Sequence, residues 1–247
     1  FKVGISQRRQ AWVLDWITTV LPGGKPTADF DSALGRLSFV CGAIVFDRPF
    51  LAPLFSLAAV TRKKTGGKVD VTRLPPYVKF ILSFPAQKLG ERRMVHCTRG
   101  KPKVGHVIAR FRTDAKAEGE LVTVGGYQTR DGKGAEIHPD HAKWFLPTLT
   151  RSNAPWAFAR GEPFRAIASL ELLGSLLGIM LLLEGKDEGE HYHVGSLSAG
   201  VLTDNSGNIF AVARMMTTKW LLVAFLAELS TQLEHLNLMF EMSWVPR

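Results

Sequence analysis

Apolar residues at Trp12, Val13, Trp16, Ile17, Val20 and Leu21 recur at helical spacing, so QRRQAWVLDWITTVL reads as an amphipathic helix with Ser6 as its N-cap. PGGKP at 22–26 ends it. A second helical pattern, FDSALGRLSFVCGAIVF, closes at Asp47 to Pro49, PFLAPLFSLAAV supplies a third, and a fourth is expected at 77–89. Between and after the last two lie TRKKTGGKVDVTRLPP and QKLGERRMVHCTRGKPKVG, which read as basic surface segments.

From about residue 105 the period changes to that of strands. In HVIARFRTDA, Val107, Ala109 and Phe111 alternate with Ile108, Arg110 and Arg112. After a turn-like AKAEGE, LVTVGGYQT completes a hairpin. WFLPTL and PWAFAR read as a third, irregular edge strand, followed by a helix around Glu171, a strand VGSLSAGVLTD, helices at 206–214 and 219–236, and a last strand LMFEMSWVP. The expected order is β-β-β-α-β-α-α-β.

A hydrophobic content of 46% with 21% charged residues is that of a folded protein, and 247 residues suffice for two modest domains. Charge sharpens the division. Residues 1–108 hold 18 Lys and Arg against 6 Asp and Glu, a net +12, whereas 109–247 hold 13 against 16, a net −3. A basic half beside a mildly acidic one points to polyanion binding next to carboxylate chemistry. Two cysteines, Cys41 and Cys97, are too few for a disulfide scaffold, and an intracellular setting is expected. The most apolar run, IASLELLGSLLGIMLLL, is interrupted by Glu171 and shorter than a bilayer span, so it reads as a buried helix, with no membrane partner.

Three acids fall at element ends: Asp114 after the first strand, Glu171 one turn into a helix, and Asp204 after the fourth strand. Each has an ordinary structural reading. Asp114 can start a hairpin turn, Glu171 can favour a helix N-terminus, and Asp204 can cap a helix in competition with Asn205 or Ser206. Glu171 shares a helix face with Ala168, Gly174, Ser175 and Gly178. Mid-helix glycines cost about 1 kcal/mol each, so this face calls for a close approach to a sheet. Together the three carboxylates fit an oxygen-ligand site for Mg²⁺. The HYH triplet at 191–193 and the loop holding His138, Asp140 and His141 are weaker metal signals, and no GxSxG, Walker A or GxGxxG pattern occurs.

TDA at 113–115, SLELLGSLLGI at 169–179, TDNSGN at 203–208 and WVP at 244–246 stand in the order and spacing of a known family. The second half resembles the ribonuclease H domain of retroelement reverse transcriptases, closest in flavour to elements integrated by a tyrosine recombinase. The first half is similar to the segment between polymerase palm and ribonuclease H: FKVGIS resembles the palm's last hairpin, QRRQAWVLDWI the start of the thumb, and LGRLSFVCGAIVFDRPFLAPL the helices after it. The resemblance implies an α/β (α+β) chain, with a helical thumb- or connection-like region at 1–104 and a ribonuclease H-like mixed five-stranded sheet flanked by helices at 105–247. It further implies a segment of a longer polyprotein, cut before the domain's last helix and its fourth carboxylate. Missing paired aspartates of the polymerase motif imply that this chain does not polymerise.

By the same resemblance Asp114, Glu171 and Asp204 would coordinate two Mg²⁺ ions, or Mn²⁺, for hydrolysis of the RNA strand of RNA–DNA hybrids, one ion activating water and the other steadying the leaving 3′ oxygen. Arg8, Arg9, Arg36, Arg62, Lys63, Lys64 and Lys68 would track the hybrid backbone. Asn205 or Asn208 would contact a 2′-hydroxyl. The polymerase palm and fingers of the same polyprotein would be its other partners. A non-catalytic nucleic-acid-binding scaffold on the same fold is the alternative.

Overall fold

The computed structural model describes residues 6–20, 30–43, 45–65, 76–90, 107–130, 135–159, 161–183, 198–236 and 238–246. Its contacts divide into two compact units, one of residues 1–99 with 216–218 and the other of 100–215 with 219–247. HYH at 191–193, Lys68, and most of the two basic stretches, at 66–75 and 91–106, lie outside the described residues.

The first unit contains four helices: α1 (Gln7–Val20), α2 (Phe30–Ala43), α3 (Arg48–Thr65) and α4 (Pro76–Gly90). The apolar stripe read from the sequence is the buried one. Val13, Trp16 and Ile17 of α1 meet Phe30, Leu34 and Leu37 of α2, Leu51 and Leu54 of α3, and Val78 and Leu82 of α4 in a single core that also takes in Cys41. At the expected break after Val60, α3 instead runs on through TRKKT. Thr61 Oγ1 donates back to the Leu57 carbonyl at 2.9 Å, and Arg62 pairs with Asp31 of α2, so good helix formers extend the helix.

The second unit is a mixed α/β sheet flanked by helices. Its elements are β1 (Val107–Glu118), β2 (Leu121–Arg130), β3 (Trp144–Phe145), β4 (Thr148–Leu149), α5 (Ile167–Leu183), β5 (Ser198–Thr203), α6 (Ser206–Arg214), α7 (Leu222–His235) and β6 (Met239–Trp244). The strand order is β3-β2-β1-β5-β6, with β4 also pairing β2. β3 and β4 share one edge, so six strands fill five places. The first three places are antiparallel, and β5 and β6 run parallel to β1, a ribonuclease H-like arrangement.

Two local expectations are corrected. AKAEGE is not all turn: β1 continues to Glu118, and the reversal is made by Gly119 and Glu120 alone, with Gly119 at φ +54°, a conformation glycine adopts without strain. PWAFAR is not a strand. Pro155 starts a 3₁₀ helix through Phe158 that buries the Phe158 ring, since a proline without an N–H opens a helical turn more readily than it joins a ladder.

α5 is the centre of this unit, packing on β1, β2 and α7. By length and composition Pro163–Leu182 would suffice to cross a membrane, but these contacts make it a core helix. Its glycines have the purpose their cost implied. A Cβ on Gly174 would lie 3.2 Å from Val124 and 3.3 Å from Thr113, and one on Gly178 would lie 2.5 Å from the Phe111 ring. Bare backbone lets the helix lie directly on the sheet.

Candidate active site

Parallel pairing of β1 with β5 ends at Arg112 and Leu202. Asp114 and Asp204 each lie two residues further on, so the register sets them level at the C-terminal ends of neighbouring parallel strands, the usual place for sites on such sheets. Asp114 was expected at the end of its strand. It sits within β1, opposite Gly125 of β2, because the antiparallel ladder with β2 continues beyond the point where β5 leaves. Relative to its parallel neighbour it is nevertheless terminal.

Glu171 comes from α5, one turn after its start, and is 4% exposed. The glycine contacts bring that part of α5 onto β1. Ser175 Oγ lies 3.3 Å from both Thr113 Oγ1 and the Glu171 carbonyl, stitching the helix to the residue before Asp114. One carboxylate oxygen from each of Asp114, Glu171 and Asp204 lies within 4.8 Å of the others. Two are held by strand ends and the third by a helix laid across them.

The competition for the cap is decided in favour of Asn205, whose Oδ1 accepts the Asn208 N–H at 3.2 Å and starts α6. Asp204 is thereby left outside the cap. Thr203 Oγ1 accepts the Asn205 N–H at 3.2 Å and shapes the bend between strand and helix. Asp114 Oδ1 accepts the N–H of Ala115 at 2.8 Å, which orients that carboxylate.

Glu171, Asp204, Asn205, Ser206 and Trp244 line an open cleft of about 320 Å³. Sequence reasoning used Trp244 only as part of a motif. In the structure β6 pairs with β5 through Thr203 and Trp244, and the indole Nε1 donates to the Asp204 carbonyl at 3.1 Å, leaving the ring 57% exposed at the cleft. The signal was the place of WVP in the order and spacing of the four motifs, but only parallel pairing tells where it lands.

A cation suits this donor set. The three carboxylates offer hard oxygen ligands converging on one point, the donor type that divalent hard cations prefer. Two unit charges 4.8 Å apart repel by roughly 3 kcal/mol at an effective dielectric of about 20. A divalent ion turns that repulsion into attraction.

Asn208 is corrected. It was expected to reach a 2′-hydroxyl, but it is 1% exposed, with its amide Nδ2 donating to the Ala168 carbonyl at 2.8 Å and facing Glu171 Oε2 at 3.5 Å. Asn205, not Asn208, lines the cleft.

In the helical unit, Arg8, Arg9 and Arg36 line a groove of about 940 Å³ between α1 and α2, together with Trp12 and Phe39. Arg9 lies over the Phe39 ring at 4.4 Å and Arg36 over Trp12 at 3.9 Å. Arg62 is engaged by Asp31, Lys63 is exposed in the last turns of α3, and Lys64 follows it in the helix. His138 and Asp140 form an exposed pair at 3.3 Å, with the His141 ring tilted at 55° to that of His138, and among the described residues these three do not converge into a metal-ligand group.

No protein-family model matches the sequence. Nor does any curated protein. Among solved structures the chain is similar to the ribonuclease H1 of the halophilic archaeon Halobacterium salinarum NRC-1, at 12% identity and a TM-score of 0.37, over 56% of this chain and 86% of that one. The fold and the site stand on strand order and carboxylate geometry, independently of that likeness.

Proposed function

We propose that the α/β unit is a ribonuclease H-type endonuclease that hydrolyses the RNA strand of RNA–DNA hybrids. The convergence of Asp114, Glu171 and Asp204 within 4.8 Å, the latter two lining an open cleft, carries this reading. These three would hold Mg²⁺ or Mn²⁺, which when bound supplies a Lewis acid at the phosphate and a more acidic water. The chain supplies position. Buried Glu171 anchors the site from below, Asp114 and Asp204 present their carboxylates at the strand ends, and the indole of Trp244 forms a flat wall beside them. Asn205 borders the cleft where a sugar edge would lie.

The reverse-transcriptase setting, with a polymerase palm and fingers in the same polyprotein, belongs to the same reading and is supported by the motifs at 113–115, 203–208 and 244–246. The test is cleavage of a hybrid labelled on its RNA strand. With Mg²⁺ or Mn²⁺ the RNA strand is cut, while single-stranded RNA, duplex DNA and reactions with excess chelator show no product. Absence of cleavage with either ion overturns the enzyme in favour of a non-catalytic scaffold.

The groove of the helical unit is proposed to grip the hybrid's backbone. Arginines lying on aromatic rings at Phe39 and Trp12 are held flat, and they combine charge with stacking surface. Replacing both Arg9 and Arg36 by Ala is expected to weaken hybrid binding and to lower the slope of log K against log salt by roughly 2, since each phosphate that a side chain neutralises adds about 0.9 to that slope. An unchanged slope would show that these arginines touch no phosphate.

A further inference from the structure

Asn208 has no place in the reaction as proposed, yet it is one of the few polar side chains buried in this unit. It lies in the first turn of α6, four residues after Asp204. Its backbone N–H is taken by Asn205, and its side-chain amide crosses to α5, where Nδ2 donates to the Ala168 carbonyl at 2.8 Å and faces Glu171 Oε2 at 3.5 Å. Its Oδ1 meets no hydrogen-bond partner among the described residues.

The orphaned oxygen explains the orientation. Turning the amide over would bring Oδ1 against a carbonyl and a carboxylate, two acceptors, so donor demand from α5 holds Nδ2 inward and leaves Oδ1 without a partner. An apolar residue of this size would fill the space without that loss, so packing does not account for an amide here. What the amide alone supplies is a pair of N–H groups. One ties the first turn of α6 to the first turn of α5, and the other faces one oxygen of Glu171, which biases the carboxylate's rotation. Asp204 immediately precedes the cap of α6 and Glu171 follows the first turn of α5. The same side chain therefore spans the two elements whose spacing separates these carboxylates.

We propose that Asn208 is a positioning residue that sets Glu171 and Asp204 in register for divalent-cation binding. This rests on the reading that the three acids hold such a cation. Hydrogen bonds to metal-ligating side chains commonly change metal affinity by about 10- to 100-fold when removed. The Mn²⁺ dissociation constant, measured by titration calorimetry on the full chain, is compared for the unmutated protein, Asn208→Leu and Asp204→Asn, with the melting temperature of each in chelator.

The expected result is saturable Mn²⁺ binding by the unmutated chain, loss of binding in Asp204→Asn, and affinity weakened by about 10- to 100-fold in Asn208→Leu, whose melting temperature in chelator is equal or higher. A purely structural asparagine would give the reverse pattern, a lower melting temperature with unchanged affinity, and that result overturns the proposal. Should Asn208→Leu not fold, Asn208→Ala is read in its place by the same criterion. If the unmutated chain binds no Mn²⁺, the cation reading itself falls and takes this proposal with it. Unchanged affinity in the Asn208 variants alongside lost binding in Asp204→Asn leaves that reading standing and removes only the role of Asn208.

Discussion

Glu171→Gln is expected to abolish cation-dependent cleavage while making the cation-free protein more stable. The carboxylate is 4% exposed and has an oxygen within 4.8 Å of both Asp114 and Asp204, so in the absence of a cation the folded state carries like-charge repulsion that the unfolded chain escapes. Glutamine keeps the shape and an oxygen facing the Asn208 amide but removes the charge. Discounted for the exposure of Asp114, the relief amounts to about 1–2 kcal/mol, seen as a higher urea midpoint in chelator. In saturating Mg²⁺ the order reverses. The unmutated protein gains about 2.7 kcal/mol at a cation concentration 100 times its dissociation constant, whereas the variant gains little. Single-turnover cleavage should fall by on the order of 10³-fold, since charge stabilisation at the reacting phosphate is lost. A variant that cleaves within tenfold of the unmutated rate, or that unfolds earlier in chelator, would show that Glu171 is a structural acid.

The second large effect concerns packing. On an open helix face alanine is favoured over glycine by about 1 kcal/mol. At Gly178 the sign should invert. The added methyl would stand 2.5 and 2.7 Å from carbons of the Phe111 ring, which is fully buried and has nowhere to swing. Overpacking of this kind costs typically 1–3 kcal/mol, and it would lever α5 away from β1, taking Glu171 with it. Gly178→Ala is therefore expected to destabilise by about 1–3 kcal/mol and to slow cleavage. Gly35 in α2 is the control: a methyl added there would meet nothing within 4 Å, and Gly35→Ala should stabilise by about 0.5–1 kcal/mol. Gly174, with neighbours at 3.2 and 3.3 Å, falls between the two. Denaturant melts of the three variants order them. Equal effects at Gly35 and Gly178 would mean that α5 does not rest on the sheet through its glycines.

Much of this architecture is written in local patterns. The stripe through Val13, Trp16 and Ile17 specifies α1 and its buried face, because helical period and burial are the same fact seen twice. TDNSGN marks the start of α6 at Ser206, since an asparagine side chain can satisfy an end N–H of the first turn. The cost of glycines inside α5 announced a close helix-to-sheet contact, and the three acids could be named from their motifs, though Asp114 lies within β1 and not at its end.

What escaped was whatever depends on a partner distant in sequence. AKAEGE looks like a turn until β2 pairs with it, and TRKKT looks like a linker until Asp31 of α2 meets Arg62. Asn208 was expected to contact a 2′-hydroxyl, and nothing nearby in the chain says that Ala168 and Glu171, about forty residues earlier, will close over it.

The sequence by itself determined the elements, the basic and acidic halves, and the residue types able to hold a hard cation, because period, capping and charge are properties of neighbouring residues. Only the tertiary structure decided that Asp114 and Asp204 stand level on adjacent parallel strands, that α5 lies close enough for Glu171 to join them, that Trp244 borders the cleft, and that buried Asn208 reaches Glu171. Strand order and helix-to-sheet distance are set by which surfaces bury one another, and that is a property of the whole chain.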